Sequence, residues 1–582
     1  MRKKVGRGGT IGASIVLSLG ISALLYVILY KQFPIVYAIN DDVAMRDIAA
    51  GAFGNRDAHL IFIKYPLGVF ISWLYGAFPG FDWYGILMTG FILMCLSLVL
   101  YRGLSDIKSR KNKIIYVFLS LAFFACIGVR HVVIFQWTVT AGVLGATGVF
   151  FFYTSSEENK QKNCIEEVIA ALVLILAFCI RETILLMIVP AAGICYLFKY
   201  VKIDKERRRF VYVRHIWFWP LVLIGCGVVM LIESAAYQEK EWKEYKEFNI
   251  YRSEVYDFYQ VPPYEAHKEF YDSIEMGEED VEALNNHSLF LIDGIYEYKM
   301  KAIAEYAKEI QGEQENVGRR LIKGGAAVGM DFQSGAYTPL DWLVISLLIC
   351  AIALCYWHKS RRFELLFLCI GVQLLLWCYL GFKGRIVERV SFVMHLYMFM
   401  ITAGILYKEL AEDGGWNDYR SGWREKMIAI CGLLSLLMVS ISTCYKVKQD
   451  AVKIETTNKE YVAICEYAMR TKEKLYFLHV NTFGDRADNF RIRREFEISN
   501  MVALGGWTAF SPVEIRKREQ LGVLNVKEAL YKNDNVYVIS RSDEDTTHIE
   551  NCLKKEYGTC HSKLLDTIAY DMYFYTIEKF GQ

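Results

Sequence analysis

The sequence predicts a polytopic α-helical membrane protein with a small α/β domain near its C-terminus. Of its 582 residues, 54% are hydrophobic and only 22% are charged, and many of the apolar residues lie in runs of about 18 or more. A run of that length crosses the ~30 Å hydrocarbon layer as a helix, which satisfies its own backbone hydrogen bonds in lipid. The net charge of +2 argues against a nucleic-acid-binding protein.

About eleven apolar segments are candidate membrane spans. The first follows the basic start "MRKKVGRGG" and has about twenty apolar residues, which favours an uncleaved signal anchor over a signal peptide. The fifth and sixth are separated only by "RET", so they form either two crossings or one broken hairpin. The candidate spans are residues 10–30, 83–103, 113–130, 132–153, 164–181, 183–201, 215–235, 339–357, 363–382, 389–408 and 427–446.

Lysine and arginine residues indicate which side of the membrane is cytoplasmic, because short cytoplasmic loops are enriched in both. With the N-terminus in the cytoplasm, the basic clusters all fall on that side. The sequence therefore predicts a multi-pass plasma-membrane protein with a cytoplasmic N-terminus and an extracytoplasmic C-terminal domain. The basic loops are residues 106–113, 202–215, 358–362 and 409–426.

The segment "AHLIFIKYPLGVFISWLYGAF" (58–78) is apolar enough to span the membrane. A crossing there would invert every later basic loop, and Lys64 and Pro66 interrupt the segment. We therefore expect a helix that lies at the outer interface. Residues 31–82 then form the first external loop.

Two further polar regions are predicted outside the membrane, a large loop at 236–338 and a C-terminal domain at 447–582, so that residues 1–446 form the membrane domain. In the C-terminal domain, the segments 474–480, 535–541 and 571–578 are rich in β-branched and aromatic residues, which favours strands. "NKEYVAICEYAMRTKE" is typical of an amphipathic helix, and 546–558 is predicted as a helix that ends at Gly558.

The most informative short motif is "INDDVAMRDIAAG", from Ile39 to Gly51. A purely structural interpretation is that Asn40 or Asp41 caps a short helix, with Asp42 in its first turn and Arg46 in an i,i+4 ion pair with Asp42. The order of the motifs favours a functional interpretation of the acidic pair. A span, an acidic pair, a short amphipathic helix, "YPL" (65–67) and the aromatic turn "AFPGFDWYG" (77–85) follow one another.

This order resembles the C-type (GT-C) glycosyltransferase superfamily, in particular its protein O-mannosyltransferase and aminoarabinose-transferase branch. Asp41 and Asp42 match the acidic dipeptide after the first span of that family. This chain departs from the pattern in having Asp in place of the usual Glu, one Pro instead of two, and no Arg after the aromatic turn. The motifs cover about residues 10–105, and the remainder is similar only in architecture.

The resemblance implies a hexosyl or pentosyl transferase that moves a sugar from a polyprenyl-phosphate donor to an acceptor on the outer face. Asp41 or Asp42 would act as general base for the acceptor hydroxyl. Cations would stabilise the departing lipid phosphate. The strongest cluster is Lys383, Arg385 and Arg389 in "GFKGRIVERVSF", and Arg130 and Arg181 lie at other outer helix ends. These residues can alternatively anchor the helices at the interface, with Glu388 as an ion-pair partner.

Other candidates carry less information. His59, His131 and Glu182 could contact substrate or a divalent metal such as Mg²⁺ or Mn²⁺, but the sequence shows no tight metal-ligand spacing, so no cofactor is assigned. The run "QWTVTAG" (136–142) and the glycines that follow it predict close helix packing. The acceptor, which could be a glycan, a wall polymer or a protein, stays open.

Two other functions are compatible with the sequence. An envelope polysaccharide polymerase or ligase would also have many spans, a large external loop and external arginines, and would depend more on the arginines than on the aspartates. The second alternative is a non-catalytic scaffold. A transporter is disfavoured, because transporters place ionisable residues and broken helices deep in the membrane and this chain has only nine prolines.

Overall fold

The computed structural model of the chain describes residues 7–156, 159–204, 209–212, 217–314, 317–333, 339–383, 386–412, 423–484, 486–570 and 573–581. Most of these residues are helical. The helices are α1 Arg7–Gln32, α2 Asn40–Ala50, α3 Tyr65–Ala77, α4 Trp83–Asp106, α5 Arg110–Ile127, α6 Val129–Val133, α7 Trp137–Tyr153, α8 Lys160–Ile180, α9 Glu182–Tyr200, α10 Phe218–Ala236, α11 Lys240–Glu254, α12 Lys268–Ser273, α13 Glu278–Asn285, α14 Met300–Gln314, α15 Val317–Gln333, α16 Leu340–Trp357, α17 Arg362–Phe382, α18 Glu388–Glu412, α19 Trp423–Arg470, α20 Val480–Phe483, α21 Pro512–Gln520, α22 Val526–Lys532 and α23 Thr547–Tyr557.

Among the described residues, nine short or medium strands accompany the helices. Two form a parallel pair that joins the first external loop to the start of α7, two form a hairpin after α9, and five form the sheet of the C-terminal domain. The strands are β1 Val36–Tyr37, β2 Ile134–Phe135, β3 Val201–Asp204, β4 Arg209–Tyr212, β5 Leu475–Leu478, β6 Met501–Ala503, β7 Val536–Arg541, β8 His561–Tyr570 and β9 Tyr573–Gly581.

The helical membrane class is confirmed. Within the described ranges, nine helices are long and apolar enough to cross a membrane: α1, α4, α8, α9, α10, α16, α17, α18 and α19. The two other predicted spans correspond to α5, which has three basic residues in its first four positions, and α7, which has 17 residues. The total of eleven therefore stays a prediction. The segments 164–181 and 183–201 form two separate helices, α8 and α9, each of spanning length.

Helix α7 is the centre of the bundle. Every residue of α7 except Val143 is buried, and the helix packs against α4, α8, α9 and α18. Its glycines permit this closeness: a Cβ at Gly142 would lie 2.2 Å from Val393, and one at Gly148 would lie 2.9 Å from Leu174. The predicted span 132–153 is wrong at its start, because residues 134–135 pair as β2 with β1 and the Gln136 side chain caps α7.

The first external loop contains two short helices. Helix α3 has 13 residues and is therefore about 20 Å long, too short to cross a bilayer. The prediction that 58–78 does not span the membrane is consistent with this length. Helix α3 approaches the preceding chain very closely, since a Cβ at Gly68 would lie 2.0 Å from the Ala58 carbonyl oxygen.

Charged side chains join the helices at the end of α4 that lies farthest from the first external loop. Arg102 contacts Glu166 at 2.7 Å, and Asp106 contacts Lys162 and accepts a hydrogen bond from Tyr407. The adjoining basic loops 106–113 and 358–362 meet the bundle on this side through α5, α17 and α18. Much of the predicted loop 409–426 and parts of 202–215 lie outside the described residues.

Helix α19 connects the membrane bundle to the C-terminal domain without a break. It has 48 residues and is about 72 Å long. The sequence predicted a span at 427–446 and a separate amphipathic helix, but both belong to this one helix. No Pro or Gly lies between Ser435 and Arg470 to interrupt it.

The C-terminal domain is built on a mixed sheet with the strand order β6-β5-β7-β9-β8. Strands β5, β6 and β7 are parallel, whereas β9 runs antiparallel to β7 and β8. The three predicted strands correspond to β5, β7 and β9, although residues 571 and 572 lie outside the described part. Helix α23 ends at Gly558, which has a φ of 82°, as predicted. Strands β6 and β8 were not predicted.

The large external loop and the C-terminal domain share one hydrophobic core. Phe248, Leu289 and Ile303 from the loop belong to the same buried cluster as Phe477 and Val538 from the sheet. The stretch 489–499 also lies along the first external loop, where Asn489 pairs with Val36 and Arg493 pairs with Phe81. The three polar regions therefore meet next to α2, which carries the acidic pair.

Candidate active site

Asp41 and Asp42 lie in the first turn of α2. The helix begins after Ile39, which makes no side-chain capping bond, so neither Asn40 nor Asp41 acts as the predicted cap. Negative charge is favourable in a first helical turn because of the helix dipole. The two carboxyl groups nevertheless point to different partners, and their contacts indicate different roles.

Asp42 is fully buried and accepts hydrogen bonds from the first residues of two helices, α4 and α7. Its Oδ1 accepts a 2.8 Å hydrogen bond from the Tyr84 hydroxyl and a 3.2 Å bond from the Trp137 backbone N–H. Its Oδ2 has no hydrogen-bond partner among the described residues. A buried carboxylate oxygen in this condition costs at least about 1–3 kcal/mol. The arrangement leaves one oxygen available to a bound hydroxyl.

Asp41 is only partly buried and faces cations. The Trp507 indole lies close to its carboxylate, and Arg389 and Arg252 act on that carboxylate electrostatically. Trp507 comes from the C-terminal domain and is fixed there by its carbonyl oxygen, which accepts a 2.6 Å bond from Tyr245. Asp41 therefore lies between the external domain and the start of α18, which carries Arg389.

The two carboxyl groups differ in their electrostatic environment. Burial raises the pKa of Asp41, while Arg389 and the nearby Trp507 indole oppose that rise. Burial raises the pKa of Asp42 well above its usual range, and the nearby charge of Asp41 adds to the rise. Two neighbouring carboxyls whose pKa values are pushed apart are typical of acid–base sites.

Aromatic side chains surround the acidic pair. Phe62 stacks on Trp137 at 5.5 Å and contacts Trp507 at 4.7 Å between ring centroids. The Arg181 guanidinium lies 4.5 Å from the Trp137 ring centroid, in a cation–π contact. The indole nitrogen Nε1 of Trp137 is buried without a hydrogen-bond acceptor in the described part of the chain. The site thus contains one unpaired acceptor, Asp42 Oδ2, and one unpaired donor.

The predicted cations are not all in one place. Arg389 lies near both aspartates, and Arg181 reaches the site through Trp137. Lys383 is exposed at the end of α17, and Arg385 lies outside the described residues. Arg130 forms a 2.5 Å ion pair with Asp450 of α19, which joins two helices.

The remaining candidates have structural contacts. His59 has its Nδ1 2.6 Å from Asp57 and its Nε2 3.1 Å from the Ala236 carbonyl oxygen. Glu182 pairs with Lys64 at 2.7 Å, and His131 packs on Phe392 with ring centroids 4.1 Å apart. Throughout the described ranges, no three His, Cys, Asp or Glu side chains are grouped so as to hold a metal ion.

An apolar groove of about 240 Å³ runs along the bundle. It is lined by α4, α5, α7, α16 and α18, and on α18 its lining extends from Phe392 to Leu410, a distance of about 27 Å. Phe392 follows Arg389 by one helical turn. The first groove residue on α18 therefore lies about one helical turn from Arg389, a cation that acts on the acidic pair.

Several site residues were not identified from the sequence. Trp137 was assigned to helix packing within "QWTVTAG", and Tyr84 was noted as part of the aromatic turn "AFPGFDWYG". Trp507 and Arg252 belong to regions without a recognised motif. The sequence contained one indication of the role of Trp137. This aromatic residue directly follows the capping Gln136, and it begins a helix at the same membrane surface as the start of α4.

No protein-family model and no curated protein sequence matches the chain. Among solved structures, it is similar to ArnT from Cupriavidus metallidurans in the apo state, with 10% identity and a TM-score of 0.41 over 97% of each chain. ArnT bound to undecaprenyl phosphate aligns with 12% identity and a TM-score of 0.39, again over 97% of each chain.

A third similar structure is the archaeal oligosaccharyltransferase AglB from Archaeoglobus fulgidus, in complex with an inhibitory peptide and a dolichol-phosphate. It has 11% identity and a TM-score of 0.38, over 90% of this chain and 69% of that chain. ArnT and AglB are C-type glycosyltransferases, the superfamily that the motif order resembles. At TM-scores near 0.4 this likeness supports no statement about function, which must rest on the residues of this chain.

Proposed function

We propose that the protein is a membrane glycosyltransferase that moves a sugar from a polyprenyl-phosphate donor to an acceptor hydroxyl at the extracytoplasmic surface. The observation that carries this proposal is the position of Asp41. It is a partly buried carboxylate between Trp507 of the external domain and Arg389 at the end of an apolar groove. A lipid-linked phosphate and a water-borne acceptor could therefore meet at one carboxylate.

The groove supports the choice of a lipid donor. Its lining is almost entirely aliphatic and aromatic, including Cys95, Phe123, Leu347 and Phe399, and suits a hydrocarbon chain. Burying each methylene group contributes about 0.8 kcal/mol. A prenyl chain in the groove would place its phosphate at the Arg389 end, where a guanidinium can bind phosphate oxygens in a forked geometry.

Asp41 is the general base in this proposal. It accepts the proton of the acceptor hydroxyl while the oxygen attacks the sugar carbon and the bond from that carbon to the lipid phosphate breaks. Arg389 stabilises the negative charge that forms on the departing phosphate. The raised pKa of Asp41 makes it a stronger base than an exposed aspartate.

Asp42 has a separate role, because it is buried behind the first turn of α2. Its Oδ1 fixes that turn to α4 and α7, and its unpaired Oδ2 accepts a hydrogen bond from a hydroxyl of the donor sugar. The Trp137 indole N–H donates to the same sugar, which stacks among Phe62, Trp137 and Trp507. Aromatic faces commonly provide apolar contact surface of this kind.

The test is sugar transfer by the purified full-length protein, with a panel of polyprenyl-phosphate hexoses and pentoses and water or added glycans as acceptor. We expect Asp41→Asn to lower kcat by about 10²–10⁴-fold and Asp42→Asn to raise the KM for the donor. The exposed Asp534, in a turn of the C-terminal domain, supplies the control Asp534→Asn, which should behave as wild type. Full activity in both Asp41→Asn and Asp42→Asn would show that the acidic pair is not catalytic.

A further inference from the structure

A second cavity is lined by Trp507 and by residues of α2 next to the acidic pair. Its volume is about 190 Å³, smaller than the ~300–1,000 Å³ of pockets that hold drug-sized ligands. One wall is a face of α2 that includes Asn40, Ala44 and Asp47. The other walls come from β5, β6, α20, α21 and the loop 503–508. The cavity therefore fits one small chemical unit at the junction of the two domains.

The walls combine aromatic and polar groups. Four aromatic side chains line the cavity: Phe53, Tyr461, Phe483 and Trp507. Two anionic residues, Asp47 and Glu514, are balanced by two cationic residues, Arg486 and Lys517. Flat apolar faces together with balanced hydrogen-bonding groups suit a neutral polyhydroxyl ring. They do not suit a lipid chain, which would leave the charged groups unsolvated.

Glu514 provides the strongest indication of a ligand. Its side chain is buried, with 3% of the residue exposed, and its Oε1 accepts a 2.7 Å hydrogen bond from Arg518. Its Oε2 has no hydrogen-bond partner within the described ranges, and the Phe510 backbone N–H acts on the same carboxyl group. Leaving such an oxygen unpaired costs about 1–3 kcal/mol or more. A hydroxyl that donates to Oε2 would remove this cost.

Lys517 can complete such a site. Its ammonium donates to the Met501 carbonyl oxygen at 2.7 Å and lies 4.7 Å from the Phe53 ring centroid. A lysine ammonium has three donors, so two remain for other acceptors. Glu514 and Lys517 lie one turn apart on α21, whose first turn is capped by Ser511. An acceptor and a donor are thus held at a fixed separation.

Trp507 connects this cavity to the reaction centre. The same side chain lines the cavity and lies close to Asp41. Its loop packs tightly against the large loop, because a Cβ at Gly505 would lie 1.8 Å from the His287 carbonyl oxygen, and Gly506 has a φ of 88°. A molecule in the cavity would therefore contact an aromatic ring that lies close to the base.

We propose that this cavity binds a sugar ring of a carbohydrate acceptor, with Glu514 Oε2 accepting from a ring hydroxyl and Trp507 forming the wall that faces Asp41. The proposal rests on the proposed function and narrows the acceptor from glycan, wall polymer or protein to a carbohydrate. Glu514 and Lys517 are binding residues here, because neither contacts the reacting atoms.

The experiment measures binding to the full chain in detergent by saturation-transfer NMR. The probes are the methyl β-glycosides of glucose, galactose, mannose and N-acetylglucosamine, with the tripeptide Ala-Ser-Ala as the alternative. We expect at least one glycoside to bind and Glu514→Gln to weaken it at least about tenfold, a loss of about 1.4 kcal/mol. Glu519→Gln, an exposed change on the same helix, is the matched control and should bind as wild type.

Two further variants make the result decisive. Ala44→Leu fills the cavity from the α2 side and should weaken the glycoside as Glu514→Gln does. Asp41→Asn should lower transfer by about 10²–10⁴-fold and still bind the glycoside, so that failure of the proposed catalytic role can be distinguished from failure of this site. The proposal is overturned if no glycoside binds, if both folded cavity variants bind like wild type, or if only the peptide binds in a Glu514-dependent manner.

Discussion

Arg46 is the residue that ties the acidic helix to the C-terminal domain. It is 1% exposed, and its guanidinium contacts Asp47 at 2.8 Å, Asp488 at 3.1 Å and Asp82 at 3.9 Å. Asp488 also pairs with Arg494. Asp82 caps α4, the helix that supplies Tyr84. One buried cation therefore orients α2 relative to two elements of the site.

We expect Arg46→Met to lower the free energy of unfolding by about 3–5 kcal/mol, because it leaves buried carboxylates without their cation. The measurement is unfolding of the detergent-solubilised protein, with transfer activity assayed in parallel. Arg361 pairs with Glu364 at the surface, with 62% of each side chain exposed, and Arg361→Met should cost only about 0–1 kcal/mol. Equal losses in the two variants would contradict the role of Arg46.

At the residue scale, the order of the motifs singled out Asp41 and Asp42, and their catalytic role stays a prediction. The partner of Arg46 was predicted wrongly. Spacing favoured Asp42, but Arg46 points to the C-terminal domain, whose buried Asp488 offers a stronger ion pair. Trp507 could not be predicted at all, because its contact with Asp41 depends on how two distant regions dock.

At the scale of single elements, hydrophobic runs predicted the helices well and their ends less well. The start of α7 was misplaced because Ile134 and Phe135 are apolar enough to continue a helix. In the structure, the pairing of β2 with β1 holds these two residues in an extended conformation. The start matters for function, since the Trp137 N–H binds Asp42 only because the helix begins there. The five-stranded sheet was predicted in part, and β6 was missed because it has only three residues.

The contact between α23 and the loop after α13 contains two buried histidines. His548 Nε2 lies 3.0 Å from the Ser288 hydroxyl oxygen, and its Nδ1 lies 3.2 Å from the Asp545 carbonyl oxygen. His479 lies beside it, with ring centroids 5.4 Å apart. Burial lowers the pKa of each histidine to about 4, and the neighbouring His548 contributes to the shift at His479, with His287 adding to it.

This contact should weaken in acid. The folded-state pKa of about 4 lies below the ordinary value of 6.5, so the unfolded chain binds more protons. The stabilisation is complete above pH 6.5 and is lost as the pH falls from 6.5 towards 4, by roughly 2 kcal/mol for one histidine at pH 5. We expect His548→Gln to reduce the difference in unfolding free energy between pH 7 and pH 5, while the exposed His561→Gln leaves it unchanged. An identical pH dependence in both variants would contradict this assignment.

At the scale of the whole molecule, the candidate active site is assembled from three regions that the sequence presents as separate. The first loop supplies the acids, and the starts of three helices supply Tyr84, Trp137 and Arg389. The large loop and the C-terminal domain supply Arg252 and Trp507. Hydropathy predicts which segments enter the membrane. It does not predict that the large loop and the C-terminal domain share one core, because their contacts join residues more than about 150 positions apart.

The groove along α18 gives the final prediction, because it connects the membrane interior to this assembled site. Ala403 lines the groove, and Ala403→Trp should displace part of a bound prenyl chain. Displacing two buried methylene groups would cost about 1.6 kcal/mol, or roughly tenfold in KM. We therefore expect a raised KM for a long-chain polyprenyl-phosphate donor and a much smaller change for a donor with a ten-carbon chain. Ala353→Trp, on the exposed face of α16, should change neither value. If Ala403→Trp impairs both donors equally, the groove does not hold the lipid chain.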